Sequence, residues 1–199
     1  MMEIEFKPFY FKANFNYEGL STKNLFNDDS ILFDLIQSEI FSNKNLNLNI
    51  NLNVKDIINI NELNNLFLKL AIERGSINLS DTNVMWKDDL KILLSDSLLN
   101  YDDEEVYLIG RVIIDIKDID DFYKSFQINK NYRKEIKEIQ FDFNYNFTHR
   151  RINFDNFKID KKSSSNVKKF LDEFNLKATS FNKITFKNFI NDFFRAYFG

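Results

Sequence analysis

"LNLNINLNV", from Leu46 to Val54, alternates five aliphatic residues (Leu46, Leu48, Ile50, Leu52, Val54) with four asparagines (Asn47, Asn49, Asn51, Asn53). Side chains of a β-strand point alternately to its two faces, so a period of two describes a strand with one apolar face and one amide face. The apolar side faces a closed core, a partner protein, or something apolar that is not protein. The fold and the function both turn on which of these it is.

The same period recurs on either side of this stretch. "FYFKANFNY" places Phe9, Phe11, Ala13, Phe15 and Tyr17 on one face. "NLFLKLAI" does so with Leu66, Leu68, Leu70 and Ile72, and "GSINL" with Ile77 and Leu79. "VYLIGRVIIDI" aligns Val106, Leu108, Val112, Ile114 and Ile116, and "IQFDFNYNF" aligns Ile139, Phe141, Phe143, Tyr145 and Phe147. Each predicts a strand with one apolar face, and strands of this kind pair readily in antiparallel order with one face wet. Polar and turn-forming residues separate them at "ERGS" (73–76), "YDDEE" (101–105) and "THRR" (148–151).

Four segments carry helical spacing instead. "DDSILFDLIQSEIF" (28–41) has Ser30 as an N-cap and Leu32, Leu35, Ile36 and Ile40 on one stripe. "DIDDFYKSFQI" begins with acids, where the helix dipole favours them, and groups Phe122, Tyr123 and Phe126. "SSSNVKKFLDEF" spaces Val167, Phe170, Leu171 and Phe174 at i, i+3, i+4 and i+7 after a serine cap. "TFKNFINDFFRAYFG" does the same with Phe186, Phe189, Ile190, Phe193, Phe194 and Tyr197. The chain thus reads as one unit over 1–199: a sheet with short inserted helices over 1–160, then a helical cap over 161–199.

Composition narrows the function classes. The 199 residues are 44% hydrophobic and 29% charged, a globular balance, and are enough to bury a core. A net charge of −3 provides no basic surplus for nucleic-acid phosphates, so nucleic acid is not an expected partner. The absence of cysteine removes disulfides, thiolate metal sites and cysteine nucleophiles. No apolar run approaches the roughly 20 residues of a membrane-spanning helix. The opening "MMEIEFKPFY" reads as a strand and lacks the apolar core of a signal peptide, which suggests a start inside a longer protein. The 23 Phe beside 4 Gly and 1 Pro, with abundant Asn, Lys and Ile, match a bias towards A/T-rich codons. That bias explains the asparagines but not their alternation.

Catalytic chemistry is hard to find. His149 is the only histidine and sits in a turn, where it reads as a surface residue. The four glycines form neither a phosphate loop nor a dinucleotide fingerprint. The acidic pairs Asp28–Asp29, Asp88–Asp89 and Asp120–Asp121, and the run 102–105, fall at turns or before helices, and none follows a calcium-loop pattern. No enzyme, metal or cofactor is expected.

With its elements in this order, the sequence resembles the C-terminal region of the AsmA-like family, relatives of TamB and YhdP. The resemblance is carried by "LFLKLAIERGSINLSDTNVMWKDDLKILLSDSLL", by "LIGRVIIDIKDIDDFYKSFQINKNYRKEIKEI", in which a strand following Gly110 leads into "DIKDIDDFY", and by "INFDNFKID". Its Ile, Lys and Asn content suits a version from an A/T-rich marine alphaproteobacterium. The resemblance covers about residues 45–199 and implies a mainly β protein with helices (α+β). In it, an elongated, twisted antiparallel sheet forms a U-shaped apolar groove capped by C-terminal helices. It further implies a periplasmic, non-enzymatic segment that binds phospholipid acyl chains and bridges membranes in support of outer-membrane biogenesis. Such a segment would be anchored in the inner membrane by an N-terminal helix or through partner proteins. The residues expected to line the groove are Leu46, Leu48, Ile50, Leu52, Val54, Leu68, Leu70, Leu108, Val112, Ile114, Phe141, Phe143 and Tyr145. The alternative is a structural β module that docks a protein partner through an edge strand.

Overall fold

A computed structural model describes residues 2–6, 9–21, 40, 43–58, 60–102, 105–177 and 183–199. Among these, ten strands form one mixed sheet, accompanied by three α-helices and a short 3-10 turn. The strands are β1 (Met2–Phe6), β2 (Phe9–Ser21), β3 (Leu46–Ile58), β4 (Leu63–Glu73), β5 (Ser76–Asn78), β6 (Asn83–Trp86), β7 (Leu90–Asp102), β8 (Glu105–Ile116), β9 (Glu138–Asn146) and β10 (Arg151–Ile159). Their order across the sheet is β1-β2-β3-β4-β5-β7-β8-β9-β10, with β6 pairing to β4 and β7. The helices are α1 (Asp120–Phe126), α2 (Ser165–Leu176) and α3 (Lys183–Phe198). The helix expected over 28–41 lies outside the described residues.

Most pairings are antiparallel, as expected, and several join strands that are neighbours in sequence. Between β4 and β5, Arg74 (φ 51°) and Gly75 (φ 82°) both adopt the left-handed conformation that a two-residue hairpin turn needs to match strand twist. One pairing departs from expectation: β2 and β3 run parallel. Parallel neighbours need a long crossover, and here the chain between Ser21 and Leu46 returns to the starting end of the sheet. The in-register match puts Phe11, Ala13, Phe15 and Tyr17 beside Leu48, Ile50, Leu52 and Val54. On the other face, Asn51 Nδ2 donates to Asn14 Oδ1 at 2.8 Å and Asn53 Nδ2 to Asn16 Oδ1 at 2.9 Å, and Lys55 reaches Glu18 at 3.3 Å. The asparagines therefore form a ladder across the parallel pair. Codon bias accounts for their supply but not for this use.

Strands β6 and β7 are not announced by alternation. β7 carries a bulge: Ser95 pairs with Arg111 and Leu98 with Ile109, so one extra residue sits on β7, with Asp96 at φ 50°. Ser97, wholly buried, packs over Gly110. Gly110 thus lies in the middle of β8 and does not precede the strand.

The helices cover one end of the sheet. α3 buries Phe189, Ile190, Phe193 and Phe194, a helical stripe, against rings from β10 and α1. Phe189 stacks on Phe154 with centroids 4.4 Å apart, Phe193 lies 4.3 Å from Phe157, and Phe194 meets Tyr123 edge-on at 5.5 Å. Asn191 Nδ2 donates to Phe126 O at 2.7 Å, tying α3 to the end of α1. The serine cap expected for α2 falls at Ser164, whose hydroxyl makes no capping hydrogen bond. α2 lies along the outer edge of the sheet. There Asn175 Oδ1 accepts from Phe154 N at 3.0 Å and its Nδ2 donates to Phe154 O at 2.8 Å. One side-chain amide thereby satisfies, at that residue, the backbone groups that a further strand would use.

Candidate apolar binding face

Register decides which side chains share a face. Leu48 lies opposite Ile72, Ile72 opposite Ile77, Ile77 opposite Leu99, Leu99 opposite Leu108, and Leu108 opposite Tyr145. Directly opposed residues point the same way. Along the strands the phase holds: Ile50 faces Leu70, Leu52 faces Leu68, Val54 faces Leu66, Val112 faces Phe141, and Gly110 faces Phe143. All thirteen residues expected to line a groove therefore occupy one face. The bulge in β7 preserves this by resetting the phase, so that Leu94 and Ile92, before it, and Leu99, after it, stay on the same side.

Burial along this face is uneven. Leu90, Ile139, Phe154, Phe157 and Ile159 are buried beneath the helices, and Ile114, Phe141 and Phe143 pack against that cluster. A second cluster, Ile72, Ile77, Leu99 and Val106, runs across the strands with Leu46, Leu48, Leu70 and Leu108 beside it and includes no residue of α1–α3. Of the thirteen residues, Val54 is buried and the other twelve are half-buried. A closed core would hide such side chains almost completely.

The opposite face is mixed: Leu93, Leu98, Ile109 and Ile113 lie on it half-buried, and beside them stands an internally paired polar cluster. Arg111 donates through Nε to Asp142 Oδ1 at 2.8 Å and pairs with Asp96 at 3.1 Å, while Asn156 Nδ2 donates to Asp142 Oδ2 at 2.8 Å. Burial pushes the Asp142 carboxyl up, but the Arg111 and Asn156 hydrogen bonds outweigh it and hold the group below its ordinary value. A carboxyl whose folded value is depressed stabilises the fold above its unfolded value, near 3.9, and loses that contribution as pH falls through the folded one. Acid titration of stability should therefore show a loss below about pH 4. Asp142→Asn should be less stable at neutral pH and flatter in that window, as read from denaturant midpoints between neutral and strongly acidic pH.

The turn histidine has a partner that its sequence position did not reveal. His149 Nε2 stands 2.6 Å from Glu105 Oε1. The other oxygen of Glu105 accepts from the Tyr107 hydroxyl and, at 2.7 Å, from Asn146 Nδ2. Tyr107, then Asn146, with His149 adding to them, hold the Glu105 carboxyl below its ordinary value. The cluster joins the β7–β8 turn to the β9–β10 turn, and His149 itself is exposed. Glu105 is 44 positions from His149, so only the β8–β9 pairing brings them together. No group of three or more metal-ligating side chains occurs among the described residues. Among them too, no helix is long and apolar enough to cross a membrane.

No family model, curated protein or solved structure matches this chain.

Proposed function

We propose that the apolar face of the sheet binds lipid acyl chains, and that the chain is a periplasmic, AsmA-like lipid-bridging segment serving phospholipid transport and outer-membrane biogenesis. On this reading it acts without enzymatic chemistry, beside a membrane reached through an anchor or partner proteins. The supporting observation is the half-buried state of an apolar face whose phase is kept from β2 to β9. Fully burying one aliphatic side chain is worth roughly 1.5–3 kcal/mol, so a row of half-buried ones leaves a large gain available to an apolar ligand. The ladder of amides and the Arg111 cluster make parts of the other face polar, interrupted by Leu93, Leu98, Ile109 and Ile113 on β7 and β8. The competing reading, docking of a protein partner through an edge strand, is disfavoured at β10, where Asn175 already occupies the backbone groups of Phe154.

The test is lipid co-purification, read by native mass spectrometry and solvent extraction. Ile50→Glu should remain folded by circular dichroism and lose its lipid, because a buried unpaired charge excludes an apolar ligand. Asn51→Lys, on the opposite face, should keep it. Ile114 is a poor place for the same experiment, since it packs against the helix-covered cluster. An unfolded Ile50→Glu protein would show a sealed core. A folded one that still carries lipid would overturn the reading.

A further inference from the structure

Beneath the helices lies a small, mostly enclosed cavity of about 70 Å³. Its wall is entirely apolar and is shared between the sheet and two helices: Ile92, Ile114 and Phe141 come from the sheet face, Phe122 and Phe126 from α1, and Ile190 and Phe193 from α3. Trp86 also belongs to the wall, and its Nε1 is buried without an acceptor among the described residues. No polar atom opens into the space. A water needs at least two polar partners to be held, so the cavity is dry despite having ample volume for one. A dry void forfeits the dispersion contacts of its lining, and an alkyl group restores them.

Resting on the reading that the face carries acyl chains, we infer that this cavity seats the methyl terminus of a bound chain. The face runs directly into the cavity through Ile114 and Phe141, whose neighbours Val112 and Phe143 continue along the same side. A headgroup is excluded, because any charge placed there would be unpaired and desolvated. The chain is therefore held tail-first against the helices, with its polar end lying along the apolar face away from them. At this end the face is a stop and not an open passage.

Trp86 is the only tryptophan, so its fluorescence reports occupancy without any substitution. The probe is dodecanoic acid brominated either on its terminal carbon or on the carbon beside the carboxylate, bromine being a contact-range quencher. Binding of each acid is measured independently by calorimetry. Terminal bromine should quench most of the emission and the carboxylate-side bromine little of it. Equal quenching, or the reverse order, overturns the tail-first orientation. Calorimetric binding without quenching by either acid overturns the cavity as the seat while leaving the lipid-binding face standing. Absence of any binding, together with no co-purifying lipid, overturns both.

Discussion

Phe193→Ala should destabilise the protein by about 3–5 kcal/mol, the usual range for emptying a large aromatic site in a core. Phe193 is 1% exposed and, with Phe189, packs α3 onto β10, its ring 4.3 Å from Phe157 and 5.5 Å from Phe194 of its own helix. It also borders the existing cavity, so its removal would enlarge a void that the surroundings already fail to close. Domains of this kind have only about 5–15 kcal/mol of net stability, so a large part of it rests on one ring. Urea unfolding should show a much lower midpoint. Leu176→Ala, at a side chain 84% exposed, should change it by less than about 0.5 kcal/mol. Similar midpoints for the two variants would mean that the helices do not pack on the sheet as described.

Gly110→Ala should cost about 1–3 kcal/mol although it adds a single methyl group. A Cβ at Gly110 would collide with the Ser97 hydroxyl and come within 2.8 Å of the Ser97 Cα. Ser97 has nowhere to go: it is wholly buried, its N donates to Ser80 Oγ at 2.8 Å, and its hydroxyl donates to Ser95 O at 3.0 Å. Relief requires the β7 bulge to shift, which would move Asp96 away from Arg111. Gly19→Ala is the matched comparison. Its new Cβ would meet the Ile58 side chain at 3.4 Å and the Asp56 carbonyl oxygen at 3.8 Å, both ordinary contacts. That variant should be close to neutral in thermal denaturation, and equal losses for the two would refute the steric account.

What could be read from the chain depended on whether each element keeps one period. β2, β3, β4, β8 and β9 do, and their apolar phases identified the common face residue by residue. The stripe Phe189, Ile190, Phe193 and Phe194 likewise identified the buried side of α3. β7 breaks its own rule at Asp96, where the extra residue turns "ILLSDSLL" from an alternation into an apparent loop. β6 is four residues long, too short for a period to declare itself. The parallel pairing of β2 with β3 was illegible for another reason, since pairing direction depends on the connection and not on the strand. The Glu105–His149 contact and the Asn175 amide at the sheet edge are products of assembly. Each joins residues whose separation in sequence carries no signal.

The ladder between β2 and β3 has a consequence for how the strands find each other. Its cross-strand pairs repeat every two residues, apolar against apolar and asparagine against asparagine, so sliding one strand by two positions largely restores the same partners. A repeating code of two letters specifies a face but no address. The address comes from the places where repetition fails. Ala13, 1% exposed beside Ile50, is a notch that neither Phe11 nor Phe15 fits, and Glu18 meets Lys55 only in the observed alignment. Strand placement in this part of the sheet is thus indexed by a missing side chain and one charge pair, and the asparagines supply adhesion without position.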